Sequence, residues 1–208
     1  MPDKPDLDGA YALASQDAIR DLYADWADSY DAAFAAARGY ALHSHVAAAF
    51  VARGGSGPVL DVGAGTGLVG EVLVEHGVGP VDGMDLSQEM LTVAAGKGVY
   101  GRLFAGDILG TLDVSVGAYQ GVVSAGTFTL GHVGPDALLE VVRVLAPGGL
   151  ACLSVNASHW EAAGFGAVMA GLAGQVADVQ ERACRIYAEG AEHDHAEDRG
   201  VILSFRRL

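Results

Sequence analysis

The chain has 208 residues, 51% hydrophobic and 18% charged, which is enough apolar material for the core of one ordinary domain and too much for a disordered chain. Its 12 Lys and Arg against 26 Asp and Glu leave a net charge of −14 and a pI near 4.6. Such a field repels phosphate backbones and anionic headgroups, so no nucleic acid and no membrane is expected among its partners.

The 30 glycines show no G-X-Y period and promise tight turns instead. Cys152 and Cys184 each sit in an apolar run and are expected to be inert buried thiols. The stretch Met1-Pro-Asp-Lys-Pro-Asp-Leu-Asp-Gly9 lacks an apolar region behind a basic start, and no bilayer-length apolar run occurs. A cytoplasmic protein without signal peptide or span is the expectation.

Residues 1–14 are polar and punctuated by proline, as a loose tail is. Ile19, Leu22, Tyr23, Trp26 and Tyr30 recur at intervals of three and four, which predicts a helix. Gly39 interrupts it, and a second helix, Tyr40 to Arg53, closes at Gly54-Gly55. Beyond Pro58 the pattern changes to a short apolar strand, Val59-Leu-Asp-Val62, then the turn Gly63-Ala-Gly-Thr-Gly67 and a helix from Leu68 to His76. Val81 to Asp85 is a second strand, Ser87 caps a helix to about Gly96, and Tyr100 to Ala105 is a third strand. Tyr119 to Ser124 reads as a fourth strand, apolar on both faces as buried parallel strands are. Pro135 suits the first turn of a helix from Asp136 to Leu145, and Pro147-Gly-Gly149 turns the chain into a fifth strand, Leu150 to Val155. Ser158 caps a Gly/Ala-rich helix to about Val176. Two strands then flank the polar stretch Glu189 to Gly200, Val179 to Tyr187 and Val201 to Arg207, which makes an antiparallel hairpin. The alternation predicts an α/β fold with a doubly wound, mostly parallel sheet in one domain. Residues 1–55 form a helical N-terminal cap, 56–156 an α/β core, and 157–208 a helix plus the terminal hairpin.

A glycine-rich turn between strand and helix lets backbone N–H groups approach an anionic or nucleotide-like ligand. Two frames compete. Gly65-Thr-Gly67-Leu-Val-Gly70 matches the dinucleotide fingerprint, with Asp85 at the right distance beyond it. Gly63-x-Gly65-x-Gly67 follows the strand directly and puts Asp61 at the strand's end, where its carboxylate can meet a ligand ammonium or backbone amides. The second frame fits the strand better.

These residues, Leu60-Asp-Val-Gly-Ala-Gly-Thr-Gly67, resemble motif I of the class I S-adenosylmethionine-dependent methyltransferases. The resemblance continues in order through Gly83-Met-Asp-Leu-Ser-Gln-Glu-Met-Leu91, Ala105-Gly-Asp-Ile108, the segment from Tyr119 to Thr129, and Val142-Arg-Val-Leu-Ala-Pro-Gly-Gly-Leu150. A narrower resemblance, to methyltransferase-like proteins of the Williams–Beuren-syndrome-region type and their bacterial relatives, rests on Tyr23-Ala-Asp-Trp-Ala-Asp-Ser-Tyr-Asp31, the Gly-Leu-Val after motif I, and Gly126-Thr-Phe-Thr-Leu-Gly-His-Val-Gly-Pro135. Relatives with His at the position of Leu130 would have a base there that this chain lacks.

The resemblance implies a Rossmann-like sheet of seven strands, S-adenosyl-L-methionine as cofactor and S-adenosyl-L-homocysteine as product. It further implies a methyl transferred to an oxygen or nitrogen of a small-molecule acceptor by a monomer or homodimer. Asp85 would take the ribose hydroxyls, with Leu86, Met90 and Ile108 around the adenine and Asp107 on its amino group. Asp61, Gly63, Ala64, Gly65, Thr66 and Gly67 would border the methionine portion, and Ser124, Ala125 and Gly126 would end the fourth strand at the ligand crevice. Tyr30 and His132 are the candidate catalytic residues, since proximity does most of the work and a base is needed only for a protonated nucleophile. Of His43 and His45, one at most can face the pocket. His193-Asp-His195 among its acidic neighbours reads as a solvated turn, so no metal is expected. A nicotinamide oxidoreductase using the other frame, and an S-adenosylmethionine-binding module without catalysis, are the alternatives.

Overall fold

The structure, a computed structural model, describes Leu22, Ala24, Trp26, Ala27 and residues 29–208. The predicted tail, Ile19 and Tyr23 lie outside the described residues. Leu22, Ala24 and Trp26 are helical, and a π-helical segment follows at Tyr30–Ala36. Helices are α1 (Leu42–Ala52), α2 (Leu68–Glu75), α3 (Gln88–Gly96), α4 (Ala137–Val144), α5 (Ala157–Ala163) and α6 (Phe165–Gly171). Strands are β1 (Val59–Val62), β2 (Val81–Asp85), β3 (Leu103–Ala105), β4 (Tyr119–Phe128), β5 (Leu145–Asn156), β6 (Val176–Arg185) and β7 (Arg199–Arg207).

The seven strands run in the order β3-β2-β1-β4-β5-β7-β6. The first five in that order are parallel, and β7 inserts antiparallel between β5 and β6. The order reverses between β1 and β4, which opens a crevice at the carboxyl ends of those strands. Side-chain alternation along the strands sorts the core into two layers. Leu60, Val62, Val122 and Leu153 pack against Leu138 and Val141 of α4 and Phe165 of α6. Val59, Val123 and Cys152 pack on the other face, against Phe50 of α1 and Val69 and Leu73 of α2.

Several predicted boundaries move. The third strand starts at Leu103, because Tyr100 turns its ring beneath the glycine turn and donates to Asp61 Oδ2 at 2.7 Å. The fourth runs on to Phe128 through a register shift after Ser124, and the fifth begins at Leu145. The predicted long helix after β5 is two short ones. Asn156 caps the first by accepting from Ser158 N and His159 N at 3.0 and 3.2 Å, where Ser158 was expected to cap. Gly164, at φ 74°, ends it. That break folds Phe165 back onto Trp160, the rings stacked with centroids 5.5 Å apart. The sixth strand begins at Val176, and its register shifts between Ala177 and Gln180, where Asp178 has φ 53°. Tyr187 lies just past it and forms an isolated antiparallel bridge with Tyr40. Ala41 N donates to Ile186 O at 2.9 Å and Ala188 N to Gly39 O at 2.7 Å, so the entrance to α1 is tied to the C-terminal hairpin. Among the described residues, no helix is long and apolar enough to cross a membrane.

Candidate active site

The crevice at the carboxyl ends of β1, β2 and β4 is a cleft of about 1030 Å³, counted out to its mouth. Its floor is the glycine turn. Gly63, Gly65 and Gly67 all take positive φ (68°, 54° and 95°), and Gly67 is the residue that caps α2. Gly70 lies inside α2, packed against Tyr100, so the turn follows the three-glycine frame and not the dinucleotide one. A Cβ on Gly63 would collide with Thr127 Oγ1, whereas at Gly65 nothing lies within 4 Å of that position. Gly63 N and Ala64 N both donate to Met84 O, at 2.8 and 2.9 Å, which fixes the turn to the end of β2.

Asp85 ends β2 at the cleft. Its Oδ2 accepts from Gly65 N at 2.8 Å and its Oδ1 from Ser87 N at 2.9 Å. Burial pushes its pKa up, against the backbone N–H groups that favour the charged form. Leu86, Met90 and Ile108 line the cleft beside it, as does Asp107, whose Oδ1 accepts from Leu109 N at 2.9 Å. Across the cleft stand Ala125, Gly126 and Thr127 from the end of β4, then His132 and Val133 from the following loop. Tyr30 of the π-helical segment and Tyr40 and His43 at the entrance to α1 complete the wall. The N-terminal segment is strapped to the floor. Thr66 Oγ1 donates to Asp31 Oδ1 at 2.5 Å, and Lys97 Nζ bridges Asp31 and Glu71 at 2.7 and 2.6 Å.

Of the residues singled out from sequence, Tyr30, Gly63, Ala64, Gly65, Thr66, Asp85, Leu86, Met90, Asp107, Ile108, Ala125, Gly126 and His132 line this one cleft. Asp61, Gly67 and Ser124 do not. Alternation puts Asp61 on the same face of β1 as Val59, toward α2, and it is fully buried there with Tyr100 on Oδ2. Its carboxylate is therefore not part of the cleft lining, where the strand-end position had suggested it. Burial, with a smaller push from Asp85, raises its pKa to about 7 against the lowering effect of Tyr100. Ser124 is buried and donates from Oγ to Val62 O at 2.7 Å, stitching β1 to β4. Because β4 continues past Ser124, the lining passes to the three residues beyond it.

Sequence reasoning missed Tyr40 and Thr127 and left His43 open. Tyr40 comes to the cleft through its bridge to Tyr187, a contact between residues far apart in the chain. Thr127 lay within the motif segment and was legible only as part of it. The His193–His195 turn stands apart from the cleft: His193 Nε2 lies 3.3 Å from Arg38 O, and His195 Nδ1 3.1 Å from Asp198 Oδ2. Among the described residues, no group of three or more His, Cys, Asp and Glu could hold a metal ion.

A seven-stranded sheet with an antiparallel β7, a three-glycine turn and an acid closing β2 define the class I, S-adenosylmethionine-dependent methyltransferase fold. Residues 59–149 match the model of a methyltransferase domain family. A 100-residue stretch is 37% identical to human Methyltransferase-like protein 27, over 47% of this chain and 40% of that protein, so the chain spans two fifths of the relative's length. Similar solved structures include a S-adenosylmethionine-dependent methyltransferase of Thermotoga maritima described as a possible histamine N-methyltransferase (TM-score 0.64, 14% identity, 90% of this chain and 98% of that one). A TehB-like S-adenosylmethionine-dependent methyltransferase of Corynebacterium glutamicum has TM-score 0.60 at 22% identity, over 93% of this chain and all of that one. A chain solved in complex with a methyltransferase activator of Haloferax volcanii has TM-score 0.62 at 17% identity, over 88% and 96%. The Thermotoga and Corynebacterium structures are both described as S-adenosylmethionine-dependent methyltransferases.

Proposed function

We propose that the protein transfers the methyl group of S-adenosyl-L-methionine to an oxygen or nitrogen atom of a small-molecule acceptor, working as one domain in the cytoplasm. The observation that carries this reading is Asp85. It is a carboxylate at the carboxyl end of β2, oriented by Gly65 N and Ser87 N, beside an apolar wall and above a floor of backbone. The cleft fits the cofactor chemically. Asp85 suits two ribose hydroxyls, Leu86, Met90 and Ile108 suit an adenine ring, and Asp107 keeps an oxygen for its amino group. Gly63, Ala64, Gly65 and Thr66 present bare backbone to an amino-acid tail. When bound, the cofactor supplies an activated methyl on a positively charged sulfur.

The chain's own residues then have two tasks. Tyr30, Thr127, His132 and Val133 hold the acceptor against the donor and exclude water, and positioning of this kind can lower a barrier by about 7–11 kcal/mol. His132 moves the proton. Its Nδ1 donates to Leu130 O at 2.9 Å, which fixes the tautomer and leaves the lone pair on Nε2. Burial lowers its pKa, which keeps the imidazole neutral at neutral pH and makes it the candidate to take the proton of an attacking O–H or N–H group. His159 steadies the same loop, with Nε2 2.9 Å from Val133 O.

The test is release of S-adenosyl-L-homocysteine on incubation with fractionated metabolite pools. Turnover with a fraction that is lost in His132→Ala supports an enzyme with this base. Tight cofactor binding without turnover in any fraction favours a binding module instead. A monomer or homodimer suits this reading equally.

A further inference from the structure

The N-terminal segment meets the cleft through three contacts. Tyr30 lines the wall, and Trp26 and Ala27 form a small apolar cluster with Met90, itself part of the cleft lining. The third contact is polar and belongs to Asp31. Its Oδ1 accepts from the hydroxyl of Thr66 in the glycine turn, and its Oδ2 pairs with Nζ of Lys97, the residue that caps the end of α3. Lys97 also pairs with Glu71 of α2, so one carboxylate ties the segment to the turn and, through the ammonium, to two helices. Exposed ion pairs contribute little, but this contact is partly withdrawn from water: Thr66 is 1% exposed and the Lys97 side chain 15%. A hydrogen bond from such a hydroxyl to a charged acceptor is among the stronger ones. Tyr30 and Asp31 also open a seven-residue π-helical stretch, a rare conformation often found at functional sites.

We propose that Asp31 is a positioning residue of the donor site: it holds Tyr30 in the wall and Thr66 in the floor, and this tie sets how fast S-adenosyl-L-homocysteine leaves. The proposal rests on the methyl-transfer reading and adds to it a residue that reading does not use. Asp31 and Lys97 do not line the cleft, whereas Tyr30 and Thr66 do. The carboxylate therefore acts through its neighbours. Tyr30 precedes Asp31 in the chain and cannot swing away from the cleft while Asp31 stays on Thr66. A ligand lying on the glycine turn beneath Tyr30 is thus held between two residues that one side chain joins. The tie adds no bond to the ligand, so it slows departure by keeping wall and floor together.

Surface plasmon resonance on the immobilised protein, with S-adenosyl-L-homocysteine as analyte, reads association and dissociation separately. Asp31→Ala loses both partners and is expected to raise the dissociation rate by about tenfold or more. Asp31→Asn keeps an acceptor for Thr66 and drops the charge that Lys97 meets, and it is expected to raise the rate only about threefold, as is Lys97→Met. The double variant Asp31→Asn/Lys97→Met is expected to match either single one, because both remove the same contact. An unchanged dissociation rate in Asp31→Ala, a change confined to association, or effects that multiply in the double variant overturns the proposal. Should Asp31→Ala fail to fold, the Asn, Met and double variants decide on the same criteria. Failure of S-adenosyl-L-homocysteine to bind the unaltered protein overturns the donor-site reading instead, and the proposal with it.

Discussion

Asp61 offers a sharp test because its surroundings and its pKa point the same way. It is fully buried on the α2 face of β1, Tyr100 donates to Oδ2, and Oδ1 is buried with no hydrogen-bond partner. Burial raises its pKa from 3.8 to about 7. A shift of about three units corresponds to roughly 4 kcal/mol of preference for the protonated form in the folded chain. The sign follows from linkage. Between pH 4 and 7 the folded protein keeps a proton that the unfolded chain has lost, so stability falls as pH rises, and it levels off above 7 where both states are ionised. Asp61→Asn removes the titration while keeping the shape and an acceptor for Tyr100. Urea unfolding of both proteins from pH 5 to 8.5 isolates the effect, because all other groups cancel in the difference. The variant's advantage is expected to grow by roughly 3 kcal/mol across that interval. Parallel profiles would refute the reasoning and mean that Asp61 is ionised in the folded state with a partner of its own.

Three further predictions concern the cleft. Gly63→Ala and Gly65→Ala both place a side chain at positive φ, a cost of about 1–2 kcal/mol each. Gly63→Ala adds a collision with Thr127 and is expected to be clearly the less stable in thermal unfolding, whereas equal losses would contradict the close approach seen there. On the proposed binding mode Asp85→Ala would lose two charge-assisted hydrogen bonds to the ribose, and it is expected to weaken S-adenosyl-L-homocysteine binding by roughly 100-fold in calorimetry, with His132→Ala near the unaltered value. Once an acceptor is in hand, the acid limb of kcat/KM should fall below pH 6.5, because burial lowers the His132 pKa, and His132→Ala should lose about 10²–10⁴-fold in rate. An acid limb above 6.5 would count against His132 as the base.

What the sequence revealed, and what it hid, divides by the range of the interactions involved. The glycine turn, the acid ending β2 and the Ser87 cap were legible because local backbone geometry and strand ends dictate them. Ser87 Oγ accepts from Met90 N at 3.2 Å as a capping residue should. Asp61 misled for a physical reason: an acid near a strand's end suggests a ligand, but alternation points it at α2, where Tyr100 was not foreseeable as its partner. Ser124 misled because β4 runs four residues past the point where its apolar run ends. The break at Gly164 was hidden because Gly164, Gly166 and Gly171 stand alike in one Gly/Ala-rich run, and nothing local singles out the first as the helix end. The wall formed by Tyr40 and His43 depends on the Tyr40–Tyr187 bridge, and no local pattern encodes a pairing between the two ends of a chain.

The central claim is that the cleft binds S-adenosyl-L-methionine through the three-glycine turn and Asp85. Thermal unfolding with S-adenosyl-L-methionine, S-adenosyl-L-homocysteine, NAD and NADP tests it most directly. Ligand at 100 times its dissociation constant stabilises a fold by about 2.7 kcal/mol, or roughly 5–10 °C for a chain of this length. The account predicts that shift with the two sulfur ligands and none with the nicotinamides; a shift with the nicotinamides alone contradicts it.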